Sequence, residues 1–355
     1  MKILISGIAG FVGSTLALAL READASLQIE GFDNFVRPGS ETNRQRLREA
    51  GLTVRHADLR VRSDVESLPD VDWVLDAAAL PSVLAGVDGK SSPIQVIEHN
   101  LTGTVHLLEY CRQRKAGFTL LSTSRVYSIP PLAQLPVNAV DEAFALDPSA
   151  SLPAGVSADG IAEEFSTAPP VSLYGSTKLA SEQLALEYGE TFDFPVFINR
   201  CGVLAGPGQF GQAEQGIFSY WIHAYRAGLP LRYIGFGGLG HQVRDCLHPR
   251  DLTPLLRSQF AAAKSPAAGR ICNIAGGSAN SMSLAQLTAW CAQRFGPREI
   301  GVDTRPRPFD LPWVVLDSAR ARKQWDWRPI TPIESTLEEI AQHAEEHPAW
   351  LQSCA

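Results

Sequence analysis

Lys2-Ile3-Leu4-Ile5-Ser6-Gly7-Ile8-Ala9-Gly10-Phe11-Val12-Gly13 opens the chain and decides its fold. A short apolar run reaches a serine. Three glycines follow at spacings of three, and apolar residues then recur at helical intervals to Ala23. The pattern predicts strand, tight turn and helix. Free backbone N–H groups at the start of such a helix suit a pyrophosphate, provided no Cβ blocks its approach. In that context Gly7, Ala9, Gly10, Phe11, Val12 and Gly13 are candidate contacts for a dinucleotide.

Further along, Leu27 to Phe32, Leu52 to Ala57, Val71 to Asp76 and Thr119 to Ser122 read as strands, with a long helical stretch at 93–115 before the last. Strands alternating with helices predict a parallel sheet covered on both faces. The fold class expected is therefore α/β, a Rossmann doubly wound parallel sheet with a smaller C-terminal α/β lobe. Residues 1–200 form the expected dinucleotide-binding domain. Residues 201–355 form most of the second lobe, with some elements free to return to the first. Helices are expected at 174–188, 283–295 and 331–346, and a sixth strand at 194–199. The stretch 128–172, rich in Pro, Ala and Ser, reads as an extended surface loop that covers the site.

Composition sets the outer limits. The chain has 355 residues, 45% apolar and 19% charged, with a net charge of −7. That is ample for a large core and offers no basic face for nucleic acid. Cys111, Cys201, Cys246, Cys272, Cys291 and Cys354 form neither CxxC pairs nor His-spaced ligand sets. They read as reduced core thiols rather than disulfides or metal ligands. No signal segment or membrane-length apolar run is evident, so a cytoplasmic protein without a membrane partner is expected.

Asp33 follows Gly13 by 20 residues, at the end of the second strand. A carboxylate there accepts hydrogen bonds from ribose hydroxyls and repels a 2′-phosphate, which favours NAD over NADP. Asn34 stands beside it, and Asp58-Leu59 closes the third strand near the expected adenine edge. Tyr174-Gly175-Ser176-Thr177-Lys178 opens a helix. Residues four apart share a helical face, so Lys178 can lower the Tyr174 phenol's pKa and leave it able to take a proton from a sugar hydroxyl. Hydroxyls at the end of the fifth strand, Ser122, Thr123 or Ser124, can hold the substrate oxygen.

Taken together these residues resemble the extended short-chain dehydrogenase/reductases, specifically their NAD-dependent epimerase/dehydratase group. The likeness runs through the Gly7/Gly10/Gly13 loop, Asp33, Ala77-Ala78-Ala79, Asn100, Thr123, Tyr174/Lys178 and the stretch Val243 to His248. It implies NAD as cofactor, with Ala77, Ala78, Ala79, Asn100, Lys178 and Arg200 also in contact, and Thr123 as the catalytic hydroxyl. The C-terminal half looks most like the CDP-tyvelose (CDP-paratose) 2-epimerase subgroup, on Gly208-Gln209-Phe210, Glu214-Gln215-Gly216, Gly240 to Asp245, Arg305 and Asp317 to Pro329. That likeness implies a nucleotide-diphosphate sugar, CDP- or UDP-linked, touching Ser82, Thr123, Ser124, Gln209, Gln215, Gly216, Arg244 and Arg305, with the two arginines on the diphosphate. It also implies a homodimer through helices 93–115 and 174–188, with Leu107, Leu108, Cys111, Leu184 and Tyr188 as apolar contacts or, alternatively, as sheet-facing core. Asp76 departs from the family, which usually has His there, and Val203 from the sugar 4-epimerases, which carry Asn. Ser124-Arg125 replaces the Asp-Glu pair that a 4,6-dehydratase needs. The remaining alternatives are a nucleotide-sugar dehydrogenase or 4-keto-sugar reductase, and a non-catalytic dinucleotide sensor or scaffold.

Overall fold

Seven parallel strands lie side by side, and the order in which the chain visits them sets the site. The computed structural model describes residues 1–212, 215–262 and 269–354. The strands β1 (Lys2–Ser6), β2 (Gln28–Asp33), β3 (Thr53–His56), β4 (Trp73–Asp76) and β5 (Gly117–Thr123) are joined by Val196–Cys201 and Ile271–Ile274. From one edge the order is Ile271–Ile274, Val196–Cys201, β5, β4, β1, β2, β3. The chain reverses direction across the sheet between β1 and β4. A crevice opens at the carboxyl ends of the strands at such a switch point.

Burial on both faces explains the near-continuous apolar runs of the central strands. Ile3 and Ile5 pack under helix α1 (Phe11–Ala23) with Leu16 and Leu20 on one face. Leu4, Val74, Phe118 and Leu120 meet Leu107, Leu108 and Cys111 on the other. Each such large apolar side chain contributes about 1.5–3 kcal/mol by leaving water. Leu107, Leu108 and Cys111 are therefore sheet-facing core, not a subunit contact. Of the five candidate contacts, Leu184 stays 37% exposed, and the Tyr188 hydroxyl donates to Glu109 (2.7 Å). All six cysteines are buried and unpaired.

The helix expected over 93–115 is present, but a π-helical segment, Glu98–Thr102, joins Pro93–Ile97 to Gly103–Arg114. The helix Ser172–Phe192 begins earlier and ends later than its apolar spacing indicated. The stretch 128–172 is not an extended loop. It holds a short helix, Ile129–Ala133, and two antiparallel hairpins, Val137–Val140 with Ala143–Leu146 and Val156–Ser157 with Gly160–Ile161. The first hairpin turns through Asp141 and Glu142, both with positive φ, as tight hairpin turns require. It is anchored where Ser283 Oγ donates to the Glu142 carbonyl (2.6 Å) and Phe144 N donates to the His241 carbonyl (2.9 Å).

Beyond Cys201 the chain builds a smaller lobe around helices Ile217–Arg226, Leu284–Phe295 and Ile333–Glu346. Phe218, Trp221, Ile222, Leu287, Cys291, Leu337 and Ile340 form its core. The lobe is not contiguous in sequence, because Ile271–Ile274 returns to pair in parallel with Val196–Cys201. Among the described residues no helix is long and apolar enough to cross a membrane.

Candidate active site

One cavity of about 1030 Å³ runs over the carboxyl ends of the strands, from the first glycine turn into the smaller lobe. It is at the upper end of the roughly 300–1,000 Å³ of ordinary ligand pockets, large enough for two ligands end to end. Gly7, Gly10, Phe11, Val12 and Gly13 form its floor at one end, with Asp33, Asn34, Asp58, Leu59, Ala77, Ala78 and Ala79 on the walls. The turn requires glycine. Gly7 has φ of +63°, and a Cβ there would meet Ala78 Cα at 2.9 Å. A Cβ on Gly13 would lie 2.2 Å from the Gly7 carbonyl oxygen. The bare cradle fits a dinucleotide's pyrophosphate.

Asp33 holds this turn as well as facing the cavity. It accepts from Ala9 N (3.1 Å) and Phe35 N (2.8 Å), while burial raises its pKa above the usual carboxylate value. Ala9 itself is fully buried and does not line the cavity. Asp58 is clamped by Arg60 (2.6 Å) and accepts from Asn34 Nδ2 (3.1 Å), and the Arg60 hydrogen bond holds its carboxyl far below the ordinary range.

Asp76 does not face phosphates. It is fully buried and accepts from Ser6 Oγ (2.6 Å) and Thr104 Oγ1 (2.8 Å). The same Ser6 oxygen accepts from Ala77 N and Ala78 N, both at 3.1 Å. An acid in this position therefore fixes the backbone of the alanine run. Asn100, on the π-helical segment, is also buried. Its Oδ1 accepts from Leu80 N (2.8 Å), so it shapes the wall rather than lining it.

Thr123, Ser124 and Tyr174 line the middle of the cavity. Thr123 stands at the end of β5 and its Oγ1 accepts from Arg125 N (3.2 Å). Burial pushes the Tyr174 phenol up to about 12, while the Thr123 hydroxyl beside it pulls down. Ser122, the third candidate hydroxyl, is committed to Glu182. Lys178 is 2% exposed. Burial lowers its pKa, and the carboxylates of Asp76 and Glu182 oppose that. Arg125 adds a weak downward pull on the Tyr174 phenol, smaller than that of Thr123. The lysine one helical turn along is thus electrostatically occupied by residues that sequence spacing did not bring to it. Arg200 is also absent from the cavity. It forms a buried ion pair with Glu182 (2.7 Å) and packs over the Tyr127 ring.

At the far end stand Ser82, Gln209, Gln215, Gly216 and Arg244. Arg244 is tied to Asp310 (3.0 Å) and to the carbonyls of Val243 (2.7 Å) and Leu311 (2.9 Å). Arg305 is not brought to the site. Its side chain is 84% exposed and paired with Asp303 (2.6 Å), at a bend in the chain. Arg307 lines the cavity instead. Glu214 lies outside the described residues. Sequence reasoning missed Arg125, Glu182 and Arg307 as site residues. A second arginine in Arg305-Pro306-Arg307 was the available signal for the last.

With this geometry in view, likeness to known proteins is informative. Residues 3–275 match the NAD dependent epimerase/dehydratase family. The chain is 29% identical over 346 residues to CDP-paratose 2-epimerase of Salmonella typhi, covering 96% of this chain and 98% of that one. It is 23% identical to UDP-glucuronate 4-epimerase 1 of Arabidopsis thaliana, covering 96% and 76%. Two solved structures share the fold. UDP-glucuronic acid 4-epimerase from Bacillus cereus, in complex with UDP-glucuronic acid and NAD, superposes with a TM-score of 0.74 at 23% identity, covering 98% and 99%. The dTDP-glucose 4,6-dehydratase from Bacillus anthracis, in complex with NAD, gives 0.77 at 21% identity over the whole of both chains. The cradle, the tyrosine helix and the match across most of the sequence place this chain in the NAD-dependent epimerase/dehydratase family, with an extended short-chain dehydrogenase/reductase fold.

Proposed function

We propose that the protein epimerises a nucleotide-diphosphate sugar, in the manner of a CDP-paratose 2-epimerase, by transient oxidation with NAD that is not released. The observation that carries this is the single cavity joining the glycine cradle, Tyr174 with Thr123, and the arginines of the smaller lobe. The Gly7-to-Gly13 turn and Asp33 hold the dinucleotide, which when bound supplies a reversible acceptor for the hydrogen on the reacting carbon. Thr123 orients the sugar hydroxyl, and Tyr174 takes its proton and later returns it. Arg244 and Arg307 face the diphosphate, where guanidinium donors match its oxygens. Ser124 and Arg125 supply no acid pair for eliminating water, which favours epimerisation over dehydration. We place the protein in the cytoplasm, as a homodimer built on the helices around 93–114 and 172–192.

The test is a thermal-shift screen of CDP-, UDP-, GDP- and dTDP-sugars with NAD present, followed by NMR of the product. The matching nucleotide sugar is expected to raise Tm, since a ligand at 100 times its Kd adds about 2.7 kcal/mol. The product is expected to carry one inverted carbon without net NADH. Stoichiometric NADH formation would make the protein a nucleotide-sugar dehydrogenase instead.

A further inference from the structure

A short strap crosses between the two lobes at the dinucleotide end of the cavity. Its centre is Phe210, which is buried in one cluster with Phe11, the first residue of α1. Val12 packs against the same cluster, and both Phe11 and Val12 belong to the floor of the cradle. Phe210 and Gln212 line the cavity together with Arg37, four residues beyond Asp33. The strap thus reaches from the start of the cradle helix to the loop that follows Asp33.

The strap is tied on both sides. On the sheet side, Arg37 Nη2 donates to the Phe210 carbonyl (2.7 Å), a short bond strengthened by the charge of its donor. Gly39 lets the ring come close, since a Cβ there would lie 3.0 Å from it. On the other side stands the segment Trp350–Cys354. The Trp350 ring stacks on that of Phe210, with centroids 5.6 Å apart and planes 21° from parallel. Trp350 Nε1 donates to the Gln209 carbonyl (2.9 Å), and Gln212 Nε2 donates to the Cys354 carbonyl (3.2 Å). Gly208, just ahead of the strap, has φ of +75°, and a Cβ there would meet only His343 Nε2, at 3.8 Å. That point is loosely packed, as a hinge has to be. No residue from Trp350 to Cys354 lines the cavity. The segment therefore holds the strap from behind.

We propose that Gln209–Gln212 is a gate on the dinucleotide site and that Trp350–Cys354 is the latch that keeps it shut, so that NAD stays with the protein from one turnover to the next. The proposal rests on the reading that the cofactor is recycled and not released. A segment that must move for the cofactor to leave must also move for it to enter. Loosening its latch therefore raises both rates, and by the same factor where the segment contributes no affinity of its own. A segment that serves only as part of the binding wall behaves differently: losing it speeds exit and leaves entry unchanged. The entry rate separates the two roles.

The test follows NADH by its fluorescence. Exit is measured by chasing the NADH-loaded protein with excess NAD, and entry by mixing NADH with protein stripped of cofactor. Deletion of residues 350–355 and the single change Trp350→Ala are each expected to raise exit roughly tenfold and entry at least roughly threefold. Ile340→Val, in the core of the smaller lobe away from the strap, is expected to leave both rates within roughly twofold of the parent. An entry rate that does not rise, or an equal acceleration in Ile340→Val, overturns the proposal. Should neither the deletion nor Trp350→Ala fold, Trp350→Phe keeps an aromatic ring and removes the N–H donated to Gln209, and it is expected to speed entry and exit together by a smaller factor. Neither rate involves a sugar, so failure of every nucleotide sugar to turn over would sink the epimerase reading and leave the latch standing.

Discussion

Tyr174 and Gly13 carry the sharpest consequences of single side chains. Tyr174→Phe removes the proposed base and leaves the cradle intact. Turnover is expected to fall by roughly 10²–10⁴, with NAD content and Tm unchanged by absorbance and calorimetry. Burial holds the phenol mostly protonated near neutrality, so the parent's rate is expected to climb with pH on the alkaline side. Gly13→Ala drives a methyl group to 2.2 Å from the Gly7 carbonyl oxygen. It is expected to cost about 1–3 kcal/mol by overpacking and to strip the protein of NAD, measured as nucleotide released on denaturation. At this scale the sequence was legible where a role is local. The glycine turn and the Tyr174–Lys178 spacing lie within one turn and one helix. Arg125, Glu182 and Asp76 were not legible as a set, because their partners come from other strands and helices, and no spacing encodes that meeting. Arg305 was chosen over Arg307 for the same reason: an extended run would set the two on one side, and the bend at Arg305 that parts them is set by packing.

The helices of the smaller lobe bring His223 and His343 together, and burial lowers the pKa of both. His223 Nε2 lies 3.0 Å from His343 Nδ1, and the His343 ring lies tilted against that of His347, centroids 4.4 Å apart. Burial, then the neighbouring His223 and His347, pushes His343 down to about 3, against 6.5 when free. Between those values the unfolded chain binds a proton that the folded one refuses. The stabilising difference is thus fully present above pH 6.5 and is lost as pH falls toward 3, at up to about 1.4 kcal/mol per pH unit. His343→Gln is expected to flatten the decline of Tm between pH 6.5 and 4 while changing it little at pH 8. Elements with strong periodicity were readable: α1 spans the predicted residues, and the helices Leu284–Phe295 and Ile333–Glu346 start within two residues of their expected places. The hairpins within 128–172 were not. Their strands are two to four residues long, and the Ala143–Leu146 strand is half-buried at every position, so no alternation marks it.

At the scale of the whole molecule, the parallel sheet was legible from the alternation of strands and helices, whereas its seventh strand was not. Ile271–Ile274 lies 70 residues beyond Cys201 in the chain, and its short apolar run resembles many others in the smaller lobe. A fragment ending at residue 201 is expected to aggregate in sedimentation experiments, because Val196–Cys201, buried along its whole length, would become an open sheet edge. The return of Ile271–Ile274 also constrains engineering. Transplanting the smaller lobe from a relative to alter sugar preference takes three seams, one just past Cys201, one ahead of Arg270 and one after Ile274, because the helices Leu284–Phe295 and Ile333–Glu346 follow the strand that the host must keep. A chimera spliced once, at residue 200, would import a foreign strand into the host's ladder and lose its register before its new specificity could be assayed.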